Sequence, residues 1–326
     1  MTASDNTASG PSRTLTDELR SAAAVQAEAL GVPANLHEDD FIFWFIHDQA
    51  HMTDKAVAVQ DYFLSGRDGA VYVKGLLEEH PTRNLLQQGG KAGHKRSLLE
   101  FAAGYGRVTR HFRTALPDME VVACDIHPQA VQFLKSLGVD AVTSTHGPAE
   151  FDLGRQFDVI YAFSFFTHMP RATWTPWLEA LGRHLTPSGL LIFTTHGRPI
   201  QGAMGVSTLE SDGFFFHPVS EQKDLDVAEY GNTVTLFDYV HRQAAKTKLR
   251  VLQFRESGAG QQDLYIMQRD LDASALAASV ASRPGSPEQP DEAALLRAEI
   301  DALYKSRSWR VTSPLRSLSR TLTGRP

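Results

Sequence analysis

The sequence is poor in cysteine and in long apolar runs. Its one cysteine, Cys124, excludes an intramolecular disulfide framework and suits a reducing compartment. No stretch reaches the roughly 18 consecutive apolar residues that a membrane-spanning helix needs. The N-terminal stretch MTASDNTASGPSRT is polar and lacks an apolar central region, so we expect no secretion signal and a cytoplasmic protein.

Basic residues are fewer than acidic ones, 32 against 38, except near the C-terminus. The 326 residues carry a formal net charge of −6, which argues against a general nucleic-acid-binding protein. Hydrophobic residues make up 42% of the chain, enough for a large core. From Ala302 onward the charged residues are all basic: Lys305, Arg307, Arg310, Arg316, Arg320 and Arg325. The composition predicts a mildly acidic body with a basic tail.

Composition and periodicity divide the chain into segments. The N-terminal residues are mainly Ser, Thr, Asn and Gly, and a second stretch rich in Ala, Ser and Pro precedes the tail. A helix capped by Thr16 and ending at Gly31, and a helical block over about 38–80, form the next region. The predicted segments are a disordered stretch (1–15), a helical cap (16–95), an α/β domain (96–270), a linker (271–290) and a basic amphipathic helical tail (291–326).

The α/β domain is predicted from short apolar runs that alternate with helical patterns. The candidate strands are 97–102, 119–125, 139–144, 157–163 and 190–195. Apolar strands separated by helices indicate a parallel sheet that is covered on both faces. The later runs KLRVLQFRES and DLYIMQR are joined by the short turn GAGQ, which is too short for a parallel return. These two strands therefore form an antiparallel hairpin, and the sheet has seven strands.

The stretch LLEFAAGYGRVTRHF has the layout of a nucleotide-binding crevice: a strand, a glycine turn and the start of a helix. A dinucleotide site would need a third glycine, which is missing after Gly106. Glu100, at the end of the first strand, suits an ammonium group. Asp125, at the end of the second strand, suits the two hydroxyls of a ribose. S-Adenosylmethionine has both groups, and its carboxylate can lie near the amides of the glycine turn.

Over about residues 96–270 the sequence resembles the class I S-adenosylmethionine-dependent methyltransferases. LLEFAAGYGR is similar to their first motif, with Ala102 in place of its first glycine. VVACDIHPQAV, FDVIYAFSFFTHMP and LTPSGLLIFTTHG are similar to the motifs of the second, fourth and fifth strands. The resemblance implies a Rossmann-like α/β fold, methyltransferase activity and S-adenosyl-L-methionine as cofactor.

The resemblance also implies which residues bind the cofactor. Ser144 and Thr145 stand where many members carry an acid that contacts the adenine amine. The helical block is expected to cover the site and to contribute Tyr62 and Gly66. The remaining cofactor-binding residues are expected to be Glu100, Ala102, Gly104, Tyr105, Gly106, Asp125, Ile126, Ala162, Phe163 and Ser164.

The methyl acceptor is expected at the ends of the fourth and fifth strands, where ligands meet a parallel sheet. A hydroxyl acceptor needs a base, and His168 and His196 are the candidate catalytic residues. Either histidine can instead have a purely structural role. A long insertion follows the fifth strand and is expected to be a lid or a substrate wall, with Phe215 and Tyr230 as candidate substrate contacts.

The same insertion contains a group of acids, Glu221, Asp224, Asp226 and Glu229. These carboxylates have the chemistry of a divalent-cation site, but a solvated acidic face explains them better. We therefore assign no metal ligands.

The substrate is indicated by two further features. The fourth-strand motif has Phe165 and Phe166 where DNA-methylating enzymes of this fold carry paired prolines, so we expect no nucleic-acid substrate. The tail segment ALYKSRSWRVTSPLR resembles one found at the ends of bacterial glycosyltransferases and of methyltransferases associated with them. That resemblance implies methylation of a sugar hydroxyl on a surface polysaccharide or a lipid-linked glycan.

Several alternatives stay open from the sequence. The acceptor can be a small molecule of secondary metabolism, or the chain can be a non-catalytic scaffold of glycosyltransferases. A nicotinamide-dependent oxidoreductase is disfavoured by the missing third glycine. The basic tail, with its leucine stripe and Trp309, can contact a glycosyltransferase partner or the anionic inner face of a membrane.

Overall fold

A computed structural model describes residues 13–48, 54–79, 95–220, 222 and 225–270. The chain divides into two units, Met1–Leu271 and Asp272–Pro326. The second unit lies outside the described residues, so the linker and the basic tail stay predictions from the sequence. None of the described helices is long and apolar enough to cross a membrane.

The N-terminal cap consists of three helices, α1 (Asp17–Leu30), α2 (Phe41–His47) and α3 (Lys55–Glu79). The Thr16 side chain accepts a hydrogen bond from the Leu19 N–H at 3.3 Å, and Gly31 ends α1 in the left-handed conformation. Both predicted ends of the first helix are therefore confirmed. The predicted helical block is two helices, and the residues between them include 49–53, which are not described.

The α/β region contains the predicted seven-stranded sheet with helices between its strands. The strands of the sheet are β1 (Arg96–Phe101), β2 (Met119–Asp125), β3 (Asp140–Thr143), β4 (Phe157–Ala162), β5 (Leu185–Thr195), β8 (Leu249–Ala259) and β9 (Gln262–Arg269). Their order is β3-β2-β1-β4-β5-β9-β8. The first five are parallel, and β9 runs antiparallel between β5 and β8. The predicted architecture is confirmed, including the terminal hairpin.

Helices cover both faces of this sheet. The helices that follow the cap are α4 (Thr109–Ala115), α5 (Pro128–Ser136), α6 (Arg171–Arg183), α7 (Arg198–Ala203) and α8 (Phe237–Ala244). Successive residues of β1 point to opposite faces. Leu99 belongs to the core that contains Trp174 of α6 and Tyr239 of α8, whereas Leu98 belongs to the core that contains Val73 of α3.

The insertion after β5, which the sequence predicts to be a lid or a substrate wall, contains regular secondary structure. It contains α7 and a hairpin formed by β6 (Phe214–His217) and β7 (Asn232–Thr235). The Thr233 N–H donates to the Thr167 carbonyl at 2.7 Å, and the Thr235 N–H donates to the His196 carbonyl at 2.9 Å. The hairpin is therefore attached through its backbone to the segments that follow β4 and β5.

Candidate active site

The sheet order reverses between β1 and β4, because β1 pairs with both β2 and β4. Chains that leave the carboxyl ends of such neighbouring strands in opposite directions open a crevice at that edge. The glycine turn follows β1 at this point. The predicted cofactor residues therefore lie at the topological switch point of the sheet.

In the glycine turn, every second residue has a left-handed backbone conformation. Ala102, Gly104 and Gly106 have φ values of 58°, 56° and 75°. A Cβ atom on Gly106 would lie 2.8 Å from Leu134 Cδ2, so glycine is required there for packing as well as for conformation. The Ala103 N–H donates to the Cys124 carbonyl at 3.0 Å and ties the turn to β2. Ala102 keeps the left-handed conformation without being glycine.

Glu100 ends up buried beneath the turn, with 5% of its surface exposed. The Thr109 hydroxyl donates to Glu100 Oε2 at 2.5 Å. Burial raises the pKa of Glu100 to about 7, with Asp125 acting in the same direction and the Thr109 hydrogen bond and Arg107 acting against it. A carboxyl with this pKa is readily ionised by a neighbouring cation.

Asp125 connects the glycine turn to the end of β2. Its Oδ2 accepts from the Gly104 N–H at 2.8 Å, and its Oδ1 accepts from the His127 N–H at 3.0 Å. His127 Nδ1 is also 2.9 Å from Oδ1. Ile126, between these two residues, is half-buried. Asp125 therefore lies beside the turn, as expected for a residue that receives a ribose at the same edge.

Ser144 and Thr145 follow β3 and are both half-buried. The Ser144 N–H donates to the Asp125 carbonyl at 2.8 Å, which places it next to the predicted ribose site. The Thr145 hydroxyl donates to the Gly147 carbonyl at 2.7 Å. The structure therefore brings both residues to the crevice edge, with the Thr145 hydroxyl engaged in its own turn.

The N-terminal cap contacts the glycine turn through the predicted residue Tyr105 and through Arg110, which the sequence analysis missed. Tyr105 is half-buried and stacks on His37, with ring centroids 4.5 Å apart. Arg110 is only 3% exposed and donates from Nε to the Gly106 carbonyl at 3.0 Å. Its Nη1 donates to the carbonyls of Pro33 and Asn35 at 3.1 and 3.0 Å. One buried guanidinium thus joins the cap to the turn.

Tyr62 and Gly66 support the turn rather than line the crevice. Tyr62 has no exposed surface, and its hydroxyl donates to Asp40 Oδ2 at 2.6 Å. A Cβ atom on Gly66 would lie 2.1 Å from the Arg107 carbonyl oxygen. Both positions are occupied by contacts within the protein, so the structure does not bring them to the cofactor surface as the sequence analysis expected.

The end of β4 lies beside the end of β1, since Tyr161 pairs with Glu100. Ala162 is fully buried, Phe163 is half-buried, and Ser164 is half-buried with a left-handed φ of 57°. The Ser164 N–H donates to Thr194 Oγ1 of the neighbouring β5 at 2.8 Å. Of the three residues expected at the cofactor, Phe163 and Ser164 keep exposed surface.

The two candidate histidines lie close together at the ends of β4 and β5. Their ring centroids are 6.4 Å apart, and the Tyr230 ring stacks on His168 at 4.3 Å. His168 Nδ1 lies 2.8 Å from the Gly231 carbonyl oxygen, to which it donates. Among the described residues, His196 Nδ1 is buried and has no hydrogen-bond partner. The structure therefore brings together three of the four residues predicted for the acceptor side.

Burial is also the main reason that the pKa of His196 is lowered to about 4, with the nearby His168 adding to the effect and a backbone hydrogen bond at Thr233 opposing it. The His196 imidazole is consequently neutral at physiological pH. A neutral imidazole with a free ring nitrogen has the chemistry of a proton acceptor.

The other predicted residues of the insertion are less closely associated with this pair. Phe215 is half-buried on β6, and its ring lies 6.4 Å from the ring of His217. Asp226 and Glu229 are exposed, while Glu221 and Asp224 fall outside the described residues. Within the part of the chain that the structure describes, no group of three or more His, Cys, Asp or Glu residues is placed to hold a metal ion.

Residues 99–191 match a family model described as a methyltransferase domain. This segment runs from β1 through most of β5 and contains both Glu100 and Asp125. The match covers less than a third of the chain. The protein is a methyltransferase enzyme, and its cofactor is S-adenosylmethionine. The seven-stranded sheet with its antiparallel strand pair is the Rossmann-like fold of the class I enzymes.

Solved structures with similar folds include several methyltransferases. One is an S-adenosylmethionine-dependent methyltransferase from Clostridium acetobutylicum, with 13% identity and a TM-score of 0.45 over 68% of this chain and 97% of the other. The sugar N-methyltransferase KedS8 from Streptoalloteichus has 18% identity and a TM-score of 0.43 over 70% and 93% of the two chains. The amino pentose methyltransferase CalS10 from Micromonospora echinaspora has 16% identity and a TM-score of 0.43 over 63% and 91%. The comparison with curated proteins finds no match. Identities this low carry no information on the substrate.

Proposed function

We propose that this methyltransferase acts on a hydroxyl group of a sugar, in a bacterial surface polysaccharide or a lipid-linked glycan. The observation that carries the proposal is the pair formed by His168 and His196, with Tyr230 stacked beside it. Transfer to a hydroxyl oxygen requires removal of a proton, and two imidazole groups near the ends of β4 and β5 support the assignment of that role to this pair.

The cofactor fits the residues at the switch point. Glu100 binds the ammonium group of the cofactor, because a carboxyl with a pKa of about 7 becomes fully ionised beside a cation. The glycine turn from Ala102 to Gly106 exposes backbone at the start of α4, which suits the carboxylate. Asp125, at the end of β2, is the group for the ribose hydroxyls.

For methyl transfer, the protein mainly has to position the acceptor and remove a proton. S-Adenosylmethionine supplies an electrophilic methyl group when it is bound. Glu100, the glycine turn and Asp125 would hold the cofactor, and its methyl group would pass to the acceptor oxygen with the carbon–sulfur electron pair left on sulfur. The hydroxyl proton must leave, and we assign it to the neutral imidazole of His196. His168, held by the Gly231 carbonyl, orients the acceptor beside it.

The sugar acceptor is inferred from the sequence of the tail as well as from the site. The segment ALYKSRSWRVTSPLR is similar to segments of bacterial glycosyltransferases and their associated methyltransferases. We propose that the tail brings the enzyme to a glycosyltransferase or to the anionic inner face of the cytoplasmic membrane. Its basic residues and Trp309 are suited to either surface.

The proposal is tested by transfer of a labelled methyl group from S-adenosylmethionine to a panel of acceptors. The panel contains lipid-linked oligosaccharides, extracted surface polysaccharides, nucleotide sugars, and phenolic and amine metabolites. We expect label in the carbohydrate as an alkali-stable ether. We expect His196→Ala to lower the rate by about 10²–10⁴-fold, the usual contribution of a general base. His217→Ala, a change at an exposed histidine of the same insertion, should leave the rate unchanged.

Two results would contradict the proposal. Label found only in phenolic or amine metabolites would identify the enzyme as a small-molecule methyltransferase. Label in carbohydrate at an undiminished rate in both His196→Ala and His168→Ala would show that neither histidine removes the proton.

A further inference from the structure

A closed ring of hydrogen bonds holds the residue that follows β4. Ser164 has a φ of 57°, a conformation that residues other than glycine rarely adopt. Its N–H donates to Thr194 Oγ1 at 2.8 Å, and the Thr194 hydroxyl donates to Gln262 Oε1 at 2.6 Å. Gln262 Nε2 then donates back to Ser164 Oγ at 2.7 Å. The ring engages both the backbone and the hydroxyl of Ser164.

The third member of the ring comes from a distant part of the chain. Gln262 is the first residue of β9, 98 residues after Ser164. The β8–β9 hairpin lies beyond the matched methyltransferase segment, which ends at residue 191. A side chain from the terminal hairpin therefore determines the local structure at the end of β4.

The ring also holds the Ser164 hydroxyl. Ser164 Oγ accepts from Gln262 Nε2 at 2.7 Å, because an amide nitrogen can only donate, and it donates to Gln262 Oε1 at 3.1 Å. Gln262 Oε1 has two lone pairs and also accepts from Thr194 at 2.6 Å. The Gln262 amide therefore holds both the Ser164 hydroxyl and the Thr194 side chain that accepts from the Ser164 N–H.

The ring lies at the edge of the crevice. Tyr161, near the end of β4, pairs with Glu100 of β1, and the strand order reverses between these two strands. Ser164 lies two residues after the end of β4 and keeps part of its surface exposed. Ser164 thus stands at the switch point, where a ligand of a doubly wound sheet is held.

We propose that Gln262 is a positioning residue of the cofactor site. It stabilises the left-handed conformation of Ser164 and so fixes the backbone after β4 at the edge of the sheet where the cofactor binds. Gln262 acts only through Ser164 and does not touch the reacting atoms. The proposal depends on the cofactor and not on the sugar acceptor proposed above, so the two proposals can fail separately.

The test is calorimetric titration of the full chain with S-adenosylhomocysteine in a double-mutant cycle. We expect Gln262→Ala to weaken binding roughly five- to tenfold, about the effect of one hydrogen bond. In a Ser164→Gly background the same change should alter the Kd less than twofold. Glycine needs no support at this φ and has no hydroxyl to orient, so Gln262 has nothing left to position.

Two further variants distinguish a specific effect on cofactor binding from a general loss of structure. Gln262→Met fills the same space without a donor and should weaken binding as much as Gln262→Ala. Gln268→Ala is the matched control, since Gln268 lies near the other end of β9 and donates to the Ser188 carbonyl at 3.1 Å. It should leave the Kd unchanged. Unchanged affinity in Gln262→Ala, or an equal loss in both backgrounds, would overturn the proposal.

Discussion

At the scale of single residues, the site is defined by polar groups that folding removes from water. Glu100 and Asp125 are each about 5% exposed at the same edge of the sheet. Asp125 accepts hydrogen bonds from two backbone N–H groups, whereas Glu100 accepts one from the Thr109 hydroxyl. With so little compensation for burial, the pKa of Glu100 rises to about 7. Glu100 therefore contributes a cost to folding that a bound cation can relieve.

This cost predicts how stability depends on pH. Because the pKa of Glu100 is about 7 in the folded state and 4.5 in its reference state, the folded state binds the proton more tightly. The contribution to stability is full below about pH 4.5 and is lost as the pH rises to about 7, by roughly 3 kcal/mol at most. Relative to the wild type, Glu100→Gln should become progressively more stable between pH 5 and pH 8, measured by thermal unfolding.

A control separates this effect from the general pH dependence of the protein. Glu179 is an exposed glutamate on α6, and Glu179→Gln should leave the shape of the stability profile unchanged. Parallel profiles for Glu100→Gln and the wild type across this range would mean that Glu100 does not carry a raised pKa.

The residues that could be predicted from the sequence lie at the ends of strands or in the turns that follow them. Glu100 and Asp125 lie at the ends of β1 and β2, and Gly104 lies in the turn after β1, so local spacing indicates all three. Arg110 could not be predicted, because an arginine in a helix is usually solvated and its partners Pro33 and Asn35 are far away in sequence. Residues whose function depends on distant contacts leave no local pattern.

At the scale of elements, the N-terminal cap is joined to the glycine turn by the packing of α3. This packing requires that α3 has no side chain at Gly66, where a Cβ atom would lie 2.1 Å from the Arg107 carbonyl oxygen. Gly75, in the same helix, has no atom within 4 Å of the corresponding position. The two glycines therefore lie in the same helix, but only Gly66 is closely packed against another part of the chain.

Substitution of these two glycines should change stability in opposite directions. Gly66→Ala should lower the free energy of unfolding by about 1–3 kcal/mol, since the backbone of the turn must move. Gly75→Ala should raise it by about 1 kcal/mol, since alanine is the better helix former. Urea denaturation of both variants makes the comparison. An equal effect of the two substitutions would mean that α3 does not press on the turn.

The elements that the sequence misplaces have identifiable physical reasons. The strands β6 and β7 are only four residues long, and their stability comes from backbone bonds to Thr167 and His196 rather than from a periodic pattern. Strand β5 begins at Leu185, ahead of the predicted strand 190–195, and its first residues LTPSG lie opposite an irregularity between Phe157 and Val159. Turn residues can be accommodated in a strand where the register shifts.

At the scale of the whole molecule, the order of strands determines where chemistry occurs. The alternation of strands and helices was enough to predict a seven-stranded sheet with an antiparallel pair, because each element has its own period and length. The docking of the cap on the turn and of the β6–β7 hairpin on the sheet edge depends on tertiary contacts. The roles of the linker and the basic tail stay predictions.

The central claim is that S-adenosylmethionine binds at the switch point, between Glu100 and Asp125. The most direct measurement is calorimetric titration of the full chain with S-adenosylhomocysteine, alongside NADH. We predict micromolar binding of the adenosyl compound and none of NADH. Asp125→Ala should weaken binding at least about fiftyfold, since charge-assisted hydrogen bonds to the ribose are lost. Asp118→Ala, at an exposed acid just before β2, should bind as the wild type does. Equal affinity in Asp125→Ala and the wild type, or no binding by folded wild-type protein, would contradict the account.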